Sequence, residues 1–325
     1  MTRLSGVSLL ATAWLALALA ASAPAAAQYP ERAVRLIVPF APGGGADLTS
    51  RLIAQRLPDA LGRQVIVDNR AGGASNIGTE AAARSAPDGY TLFLATLSTS
   101  VNASLFPKLP FNVLKDFEPV SLLVTVPLIV VVHPSVPVQT VQELIALAKS
   151  RPGALNYASG GIGSANHVAG ELFKHMTGVQ IAHVPYKGGG PAIADILGGH
   201  VSLLFGTLTS THEFAKSGRL RGLATTGGKR SVAAPELPTV AESGLPGYLV
   251  EAWYGVMAPA GTPRAIIDRL SAELARIVQA PDVRETLRAQ GTEAVGGTPE
   301  EFARYLRAEI EKWSKMVKAQ GLRNE

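Results

Sequence analysis

The sequence predicts an α/β protein built from two lobes that enclose a cleft. Apolar strand-like runs alternate with helical patterns along most of the chain, an order typical of parallel sheets covered by helices. Glycine-rich loops follow three of these runs at the point where a helix begins. In mid-chain, the β-branched runs Val120–Val126 and Leu128–Val132 are divided by Pro127. We place a crossover between the two lobes there.

The stretch Val38–Leu57 contains the first glycine loop. The apolar run Val34–Val38 is typical of a buried strand, and Gly43, Gly44 and Gly45 follow it before a helical pattern begins. The first N–H groups of a helix lack partners, and the positive end of the helix dipole lies behind them. Glycine lets a ligand approach the backbone closely. The sequence therefore predicts a small anion-binding loop that needs no basic side chain.

Two later segments repeat this arrangement. Tyr157–Ser164, with the sequence Y-A-S-G-G-I-G-S, follows the strand-like run Leu155–Ala158 and precedes a helical pattern. Val184–Pro191, V-P-Y-K-G-G-G-P, repeats the pattern of Val38–Gly45. We expect these loops to face one another.

The N-terminus has the features of a signal peptide over residues 1–27. Arg3 supplies a positive charge, Leu9–Ala21 is an apolar segment too short to span a membrane, and Ala25–Ala27 fits an A-x-A cleavage site before Gln28. No later apolar run approaches the roughly 18 residues of a spanning helix. The mature protein is expected to be soluble and exported.

Composition excludes several kinds of site. The chain has no cysteine, which excludes disulfides, cysteine–metal sites, thiol chemistry and lipid attachment at a mature N-terminal cysteine. The formal charge of +5 is small for this length and the cations are scattered, so no nucleic-acid surface is predicted. A hydrophobic content of 47% is enough for two cores.

The first unit has three predicted strands, Val34–Val38, Gln64–Val67 and Tyr90–Ala95. We interpret Ser75 or Asn76 as the N-cap of the helix between the second and third strands. Thr96–Ser100 is interpreted as a polar loop after the third strand. The second unit alternates helices and strands as far as Thr225. Predicted later features are the return connection Thr226–Tyr248, the strand Ala252–Ala258, and a final helix with a capping box at Thr298 and Glu301.

The chain lacks the usual motifs of nucleotide binding and catalysis. It contains no G-x-x-x-x-G-K-[ST], no G-x-G-x-x-G, no G-x-S-x-G and no H-E-x-x-H. The sequence therefore supports no cofactor, no metal site and no catalytic residue.

Asp47, Ser159 and Ser164 each allow two interpretations. Asp47 lies in the first turn of its helix, where an acid stabilises the dipole by about 0.3–1 kcal/mol. Alternatively it orients the loop or accepts a hydrogen bond from a ligand. Ser164 fits an N-cap position, and the hydroxyls of both serines can also donate to a carboxylate.

His167, Tyr186 and Lys187 are further candidates. A single helical histidine such as His167 is more often packed or solvated than bound to a ligand. Tyr186, next to three glycines, belongs either to the core or to a pocket wall. Lys187 is either a solvated cation or one that steers anions. Three other aromatic residues are assigned to packing: Trp253, Tyr254 and Trp313.

Five specific motifs occur in order along the chain. They are V-P-F-A-P-G-G-G-A-D at Val38–Asp47, N-R-A-G-G-A-S-N-I-G at Asn69–Gly78, P-D-G-Y-T-L at Pro87–Leu92, Y-A-S-G-G-I-G-S at Tyr157–Ser164 and V-P-Y-K-G-G-G-P-A at Val184–Ala192. The segments Pro235–Gly244 and Trp253–Pro259 add to them. Together these motifs resemble the tripartite tricarboxylate transporter receptors, the TctC-like or Bug proteins, over the whole chain after the leader.

The resemblance implies a periplasmic binding protein of type II, a Venus-flytrap whose two α/β lobes close on a small organic anion. The gripping loops of the family map onto Pro42–Asp47 and Ser159–Ser164. Thr96–Ser100 and Thr207–Ser210, at strand ends, are expected to line the pocket. The expected ligand-binding residues are Phe40, Pro42, Gly43, Gly44, Gly45, Asp47, Ser98, Ser159, Gly160, Gly161, Gly163, Ser164, His167, Tyr186, Lys187 and Thr207.

The expected lobes are residues 28–124 with 251–325, and residues 125–250. The resemblance implies a receptor, expected to be a monomer, that delivers a di- or tricarboxylate, an amino acid or an aromatic acid to a membrane permease of one large and one small subunit. Two alternatives stay open. One is an exported α/β enzyme acting on a carboxylate, and the other is a ligand sensor that signals to a membrane kinase.

Overall fold

The structure, a computed structural model, describes residues 29–320. The predicted signal peptide, with its cleavage site before Gln28, lies outside the described residues. Between residues 29 and 320, no helix has both the length and the apolar composition needed to cross a membrane.

Strands and helices alternate along the chain as the sequence predicts. The strands in residues 29–320 are β1 (Val34–Val38), β2 (Val65–Asn69), β3 (Thr91–Thr96), β4 (Phe117–Val132), β5 (Asn156–Ser159), β6 (Ala182–Pro185), β7 (Leu203–Thr207), β8 (Arg221–Thr225), β9 (Glu251–Pro259) and β10 (Glu293–Ala294). The α-helices over the same range are α1 (Gly45–Leu61), α2 (Asn76–Ala83), α3 (Leu97–Leu105), α4 (Val141–Ser150), α5 (Ala165–Thr177), α6 (Gly189–Leu197), α7 (Leu208–Lys216), α8 (Arg264–Gln279), α9 (Pro281–Ala289) and α10 (Pro299–Gln320).

The strands pair in two groups that share β4, which gives the two-lobed α/β fold. In the first lobe β1 lies between β2 and β3 with parallel pairing, and β9 joins β3 to β4 with antiparallel pairing. In the second lobe β5 pairs in parallel with β6 and β7, and β4 pairs antiparallel with β7 and β8. The chain thus returns from the second lobe to the first through β9.

The expected interruption at Pro127 is wrong, because β4 continues from Phe117 to Val132. Residues up to Pro127 pair with β9, whereas Leu128–Val132 pair with β7 and β8. Proline has no N–H to donate and is tolerated where ladder pairing is irregular. Here it lies at the point where the strand changes partners, so the residue marks the crossover without ending the strand.

The expected polar loop Thr96–Ser100 is also wrong, because α3 begins at Leu97. Thr99 Oγ1 accepts the N–H of Thr96 at 3.0 Å, and Ser100 Oγ donates to the carbonyl of Leu97 at 2.8 Å. These side chains satisfy the backbone groups at the start of the helix, which makes a polar sequence compatible with a buried helix.

The predicted caps have mixed outcomes. Thr298 and Glu301 form the expected capping box, with each side chain accepting the other residue's N–H. Ser164 caps α5 by accepting the N–H of His167 at 3.3 Å. Ser75 precedes α2, but its left-handed φ of 74° directs it into the turn Gly73–Ser75 and its side chain makes no capping hydrogen bond.

A buried carboxylate fastens α10 to the first lobe. Glu309 Oε2 accepts the indole N–H of Trp313 at 2.8 Å and that of Trp253 at 3.2 Å. Both tryptophans are fully buried, which confirms that they are packing residues.

We predict that Glu309→Ala lowers the free energy of unfolding by about 2–4 kcal/mol, because two buried indole N–H groups lose their acceptor. Urea unfolding followed by tryptophan fluorescence measures the loss. The matched control is Glu311→Ala on the same helix, since Glu311 has an exposed pair with Lys315 and its loss should leave the free energy of unfolding nearly unchanged. Equal costs for the two variants would contradict this role of Glu309.

Candidate ligand-binding site

Five helices begin around one cavity between the lobes, which we call the inner chamber. The first-turn residues that line it are Gly45 and Ala46 of α1, Leu97 and Ser98 of α3, Ala165 and Asn166 of α5, Gly189 of α6, and Ser210 of α7. The first N–H groups of each helix lack intrahelical acceptors, and each helix adds a partial positive charge. The inner chamber therefore favours an anion.

The inner chamber is small and has no charged side chain in its wall. Its cavity volume is about 50 Å³. Its lining residues are Phe40, Gly44, Gly45, Ala46, Thr96, Leu97, Ser98, Gly160, Ser164, Ala165, Asn166, Gly189, Ile193, Leu204, Gly206, Thr207, Ser210, Ala252 and Tyr254. An anion bound here would be held by N–H and O–H donors.

Asp47 organises the loop of the first lobe from behind. Its carboxylate accepts hydrogen bonds from the Gly43 N–H, from Arg51 and from Asn69, each at about 3 Å. Burial raises the pKa of Asp47, but these hydrogen bonds outweigh burial and hold the pKa below its usual value. The side chain is 3% exposed and does not line the inner chamber, so its contacts match the interpretation that it orients the loop.

Two side chains support the loop of the second lobe in the same way. Ser159 Oγ accepts the N–H of Gly161 at 3.0 Å and lies 2.6 Å from His183 Nε2. His167 Nδ1 accepts the N–H of Gly163 at 3.2 Å. These bonds occupy Ser159 and His167 within the protein and leave Gly160 and Ser164 to line the inner chamber.

The third glycine loop contacts the first loop directly. The Ala41 N–H donates to the carbonyl of Lys187 at 2.9 Å. A Cβ on Gly44 would lie 3.1 Å from Gly189, and one on Gly190 would overlap the carbonyl of Pro42. This approach of two backbones requires glycine at Gly190, and a side chain at Gly44 would displace Gly189, which lines the inner chamber.

A second, more open pocket adjoins the inner chamber, and we call it the outer pocket. It offers about 260 Å³, is lined by Gly161, Tyr186 and Lys187, and shares Phe40 and Gly160 with the inner chamber. The Tyr186 hydroxyl donates to Asp195, and burial together with this bond raises the pKa of Tyr186 to about 12.

The structure divides the expected ligand-binding residues into three groups. Those in the wall of the inner chamber are Phe40, Gly44, Gly45, Ser98, Gly160, Ser164 and Thr207. Those that line only the outer pocket are Gly161, Tyr186 and Lys187. Those that line neither are Pro42, Gly43, Asp47, Ser159, Gly163 and His167.

Tyr254 and Asn166 are lining residues that the sequence did not single out. Tyr254, which the sequence assigned to packing, is a buried core residue that also lines the inner chamber. Strand alternation points Ala252 and Tyr254 into the chamber and Trp253 away from it. Alternation along the predicted strand Ala252–Ala258 indicates that Trp253 and Tyr254 lie on opposite faces, but it does not indicate which of them faces the cleft. Asn166 follows the N-cap Ser164 by two residues, so its backbone N–H is one of the first-turn groups that have no acceptor within the helix.

The fold and the inner chamber define a class, the two-lobed α/β binding proteins with an anion site in the cleft. Within that class, the chain belongs to the tripartite tricarboxylate transporter receptor family, TctC, which matches residues 49–322. Protein BugT of Bordetella pertussis strain Tohama I is 41% identical over 326 residues, which cover 99% of this chain and 98% of that protein.

Two solved structures with bound carboxylates are similar. An R. palustris protein with adipate is 38% identical with a TM-score of 0.88, covering 90% of this chain and 98% of that chain. MatC from Rhodopseudomonas palustris with bound malate is 31% identical with a TM-score of 0.85, covering 89% of this chain and 100% of that chain.

Two histidines support the loop of the second lobe, the buried His167 and the half-buried His183, and they should make the free energy of unfolding depend on pH. His167 and His183 pack with ring centroids 4.5 Å apart. The pKa of each is lowered to about 4, mainly by burial. Lys174 contributes to the lowering of both, His167 also lowers the pKa of His183, and Glu171 opposes the shift. Both rings are therefore neutral near pH 7.

We predict that the free energy of unfolding falls as the pH drops from about 6.5 to about 4. In this window the histidines of the unfolded chain bind protons that the folded chain does not, so acid favours unfolding. The slope is at most about 1.4 kcal/mol per pH unit for each histidine. Urea unfolding at a series of pH values measures it, and His183→Gln should reduce the slope. A slope that this substitution leaves unchanged would contradict the assignment.

Proposed function

We propose that this protein is a periplasmic receptor that captures a small carboxylate between its lobes and delivers it to a permease of the tripartite tricarboxylate transporter type. The observation that carries the proposal is the convergence of five helix N-termini on one uncharged chamber. The carboxylates in the two similar structures and the transporter named in the family description support it.

Hydrogen bonds alone can supply the binding free energy of such a site, without a basic side chain. Hydrogen bonds to a charged group contribute roughly 1.5–3 kcal/mol each. A micromolar Kd requires about 8 kcal/mol, so a few N–H and O–H donors from two lobes account for it. Because each lobe supplies part of the donors, the ligand favours the closed arrangement.

The proposal includes several finer assignments. The lobes comprise residues 28–124 with 251–325, and residues 125–250, and the signal peptide is removed before Gln28. The protein acts as a monomer and performs no catalysis. The ligand contacts come from the expected residues in the wall of the inner chamber, with the supporting residues Asp47, Ser159 and His167 behind them.

A thermal-shift screen of organic acids tests the function. A ligand at 100 times its Kd stabilises the folded state by about 2.7 kcal/mol, which raises the melting temperature. We expect a carboxylate such as malate or adipate to do so without being consumed. Steady formation of product from the bound compound would instead favour an exported enzyme.

We predict that Gly44→Val weakens the binding of that carboxylate at least about tenfold and leaves the fold intact. Gly44 has a φ of −90°, which any residue can adopt, but its added side chain would meet Gly189 at 3.1 Å and disturb the closed chamber. Isothermal titration calorimetry measures the loss.

The matched control is Gly228→Val, since Gly228 is exposed and a Cβ there would meet only Leu249 at 3.8 Å. It should bind as the wild type does. Gly161 is a less informative position, because its φ of 114° would strain any side chain and couple binding to folding. Full affinity in Gly44→Val would count against this site.

A further inference from the structure

The strand β9 passes between the lobes and presents different side chains to its two faces. Ala252 and Tyr254 line the inner chamber. Trp253, on the opposite face, packs edge-on against Phe302 and Tyr305 of α10. Tyr254 is therefore held on a central strand of the first lobe, with its backbone paired to β3 on one side and β4 on the other.

The Tyr254 hydroxyl lies where both lobes meet the inner chamber. A Cβ on Gly45 would be 2.8 Å from this hydroxyl and 2.5 Å from Thr207 Oγ1. The two hydroxyl groups thus occupy the space that the missing side chain of Gly45 leaves free. Gly45 is the first residue of α1, so both hydroxyls lie beside the N–H groups that favour an anion.

Thr207 is fixed in this position by the start of α7. It is the N-cap residue of that helix, and its Oγ1 lies 2.8 Å from Ser210 Oγ. Tyr254 is 4% exposed and Thr207 is 7% exposed. The two groups form a rigid, desolvated and uncharged polar corner, which we call the hydroxyl corner.

Because the hydroxyl corner lies beside Gly45, a carboxylate held by the N–H groups of α1 would place its neighbouring carbon within reach of these two hydroxyls. A hydroxyl or carbonyl oxygen on that carbon can hydrogen-bond with Tyr254 or Thr207. A methylene there can neither donate nor accept, and it excludes the water that otherwise would. Such a ligand displaces water without replacing the hydrogen bond that the water makes, which costs binding free energy.

We propose that Tyr254 and Thr207 are specificity-determining residues that select carboxylic acids bearing a hydroxyl or carbonyl oxygen on the carbon next to the carboxylate. This inference rests on the proposed function, because it assigns the substrate class of the same site. It extends that function from carboxylates in general to 2-hydroxy and 2-oxo acids.

Calorimetric titration with pairs of acids that differ by one oxygen at this carbon tests the inference. The pairs are lactate with propionate, malate with succinate, and 2-oxoglutarate with glutarate, which cover three chain lengths. In every pair that binds, the wild-type protein should prefer the oxygen-bearing acid by about five- to tenfold, the worth of one or two hydrogen bonds.

Two variants test whether the hydroxyl corner causes the preference for the oxygen-bearing acid. Tyr254→Phe and Thr207→Val each keep the shape of the wall and remove one hydroxyl. Each should weaken the oxygen-bearing acid by about fivefold and change the affinity for its partner by less than about twofold. The matched control is Tyr305→Phe, which removes a phenolic hydroxyl behind the opposite face of β9 and should leave both affinities unchanged.

The outcomes separate this inference from the proposed function. If carboxylates bind but neither member of any pair is preferred, the hydroxyl corner does not select the ligand, although the receptor function stands. The same holds if both variants weaken the two members of a pair equally. If no carboxylate binds, both proposals fail. Thr207→Val decides the question should Tyr254→Phe not fold.

Discussion

The rest of the structure depends on backbone N–H groups that have no acceptor within their own helix. A helix cannot satisfy its own first N–H groups, and a protein normally pairs them with side chains or water. Here five helices begin at one small chamber, so their first-turn N–H groups and their dipoles act on the same volume. The proposed carboxylate site is a consequence of the topology, because strands that end at the cleft are followed by helices that begin there.

This arrangement explains why the most distinctive side chains of the first and second glycine loops face away from the inner chamber. Asp47 holds the first loop, and Ser159 and His167 hold the second. Their contacts fix backbone donors in place before a ligand arrives, which lowers the ordering cost of binding. Glycines allow two backbones to approach each other closely, as at Gly44 and Gly189.

The sequence predicted the fold well, because the fold is encoded in local signals. Apolar runs, glycine loops and caps such as Ser164 place most strands and helices within a few residues of their observed ends. The failures have physical causes. Polar residues that satisfy a helix start, as Thr99 does, resemble a loop, and Pro127 lies in a strand at the place where pairing changes.

The candidate site was predictable to the level of its loops, and less so to the level of side chains. A glycine loop before a helix indicates an anion-binding site, but tertiary contacts decide which way each side chain of the loop points. Nothing local distinguishes Ser159, which supports the loop, from Ser164, which lines the inner chamber. Likewise Tyr254 and Trp253 are neighbours in sequence, and only the sheet decides which of them faces the cleft.

The central claim is that main-chain donors from both lobes, and no cationic side chain, hold the ligand. A high-resolution crystal structure of the complex with the carboxylate that raises the melting temperature most tests it directly. The account predicts carboxylate oxygens about 3 Å from amide nitrogens in the first turns of α1 and α5, directly or through one ordered water. A carboxylate paired with Lys187 in the outer pocket, with the inner chamber free of ligand, would contradict it.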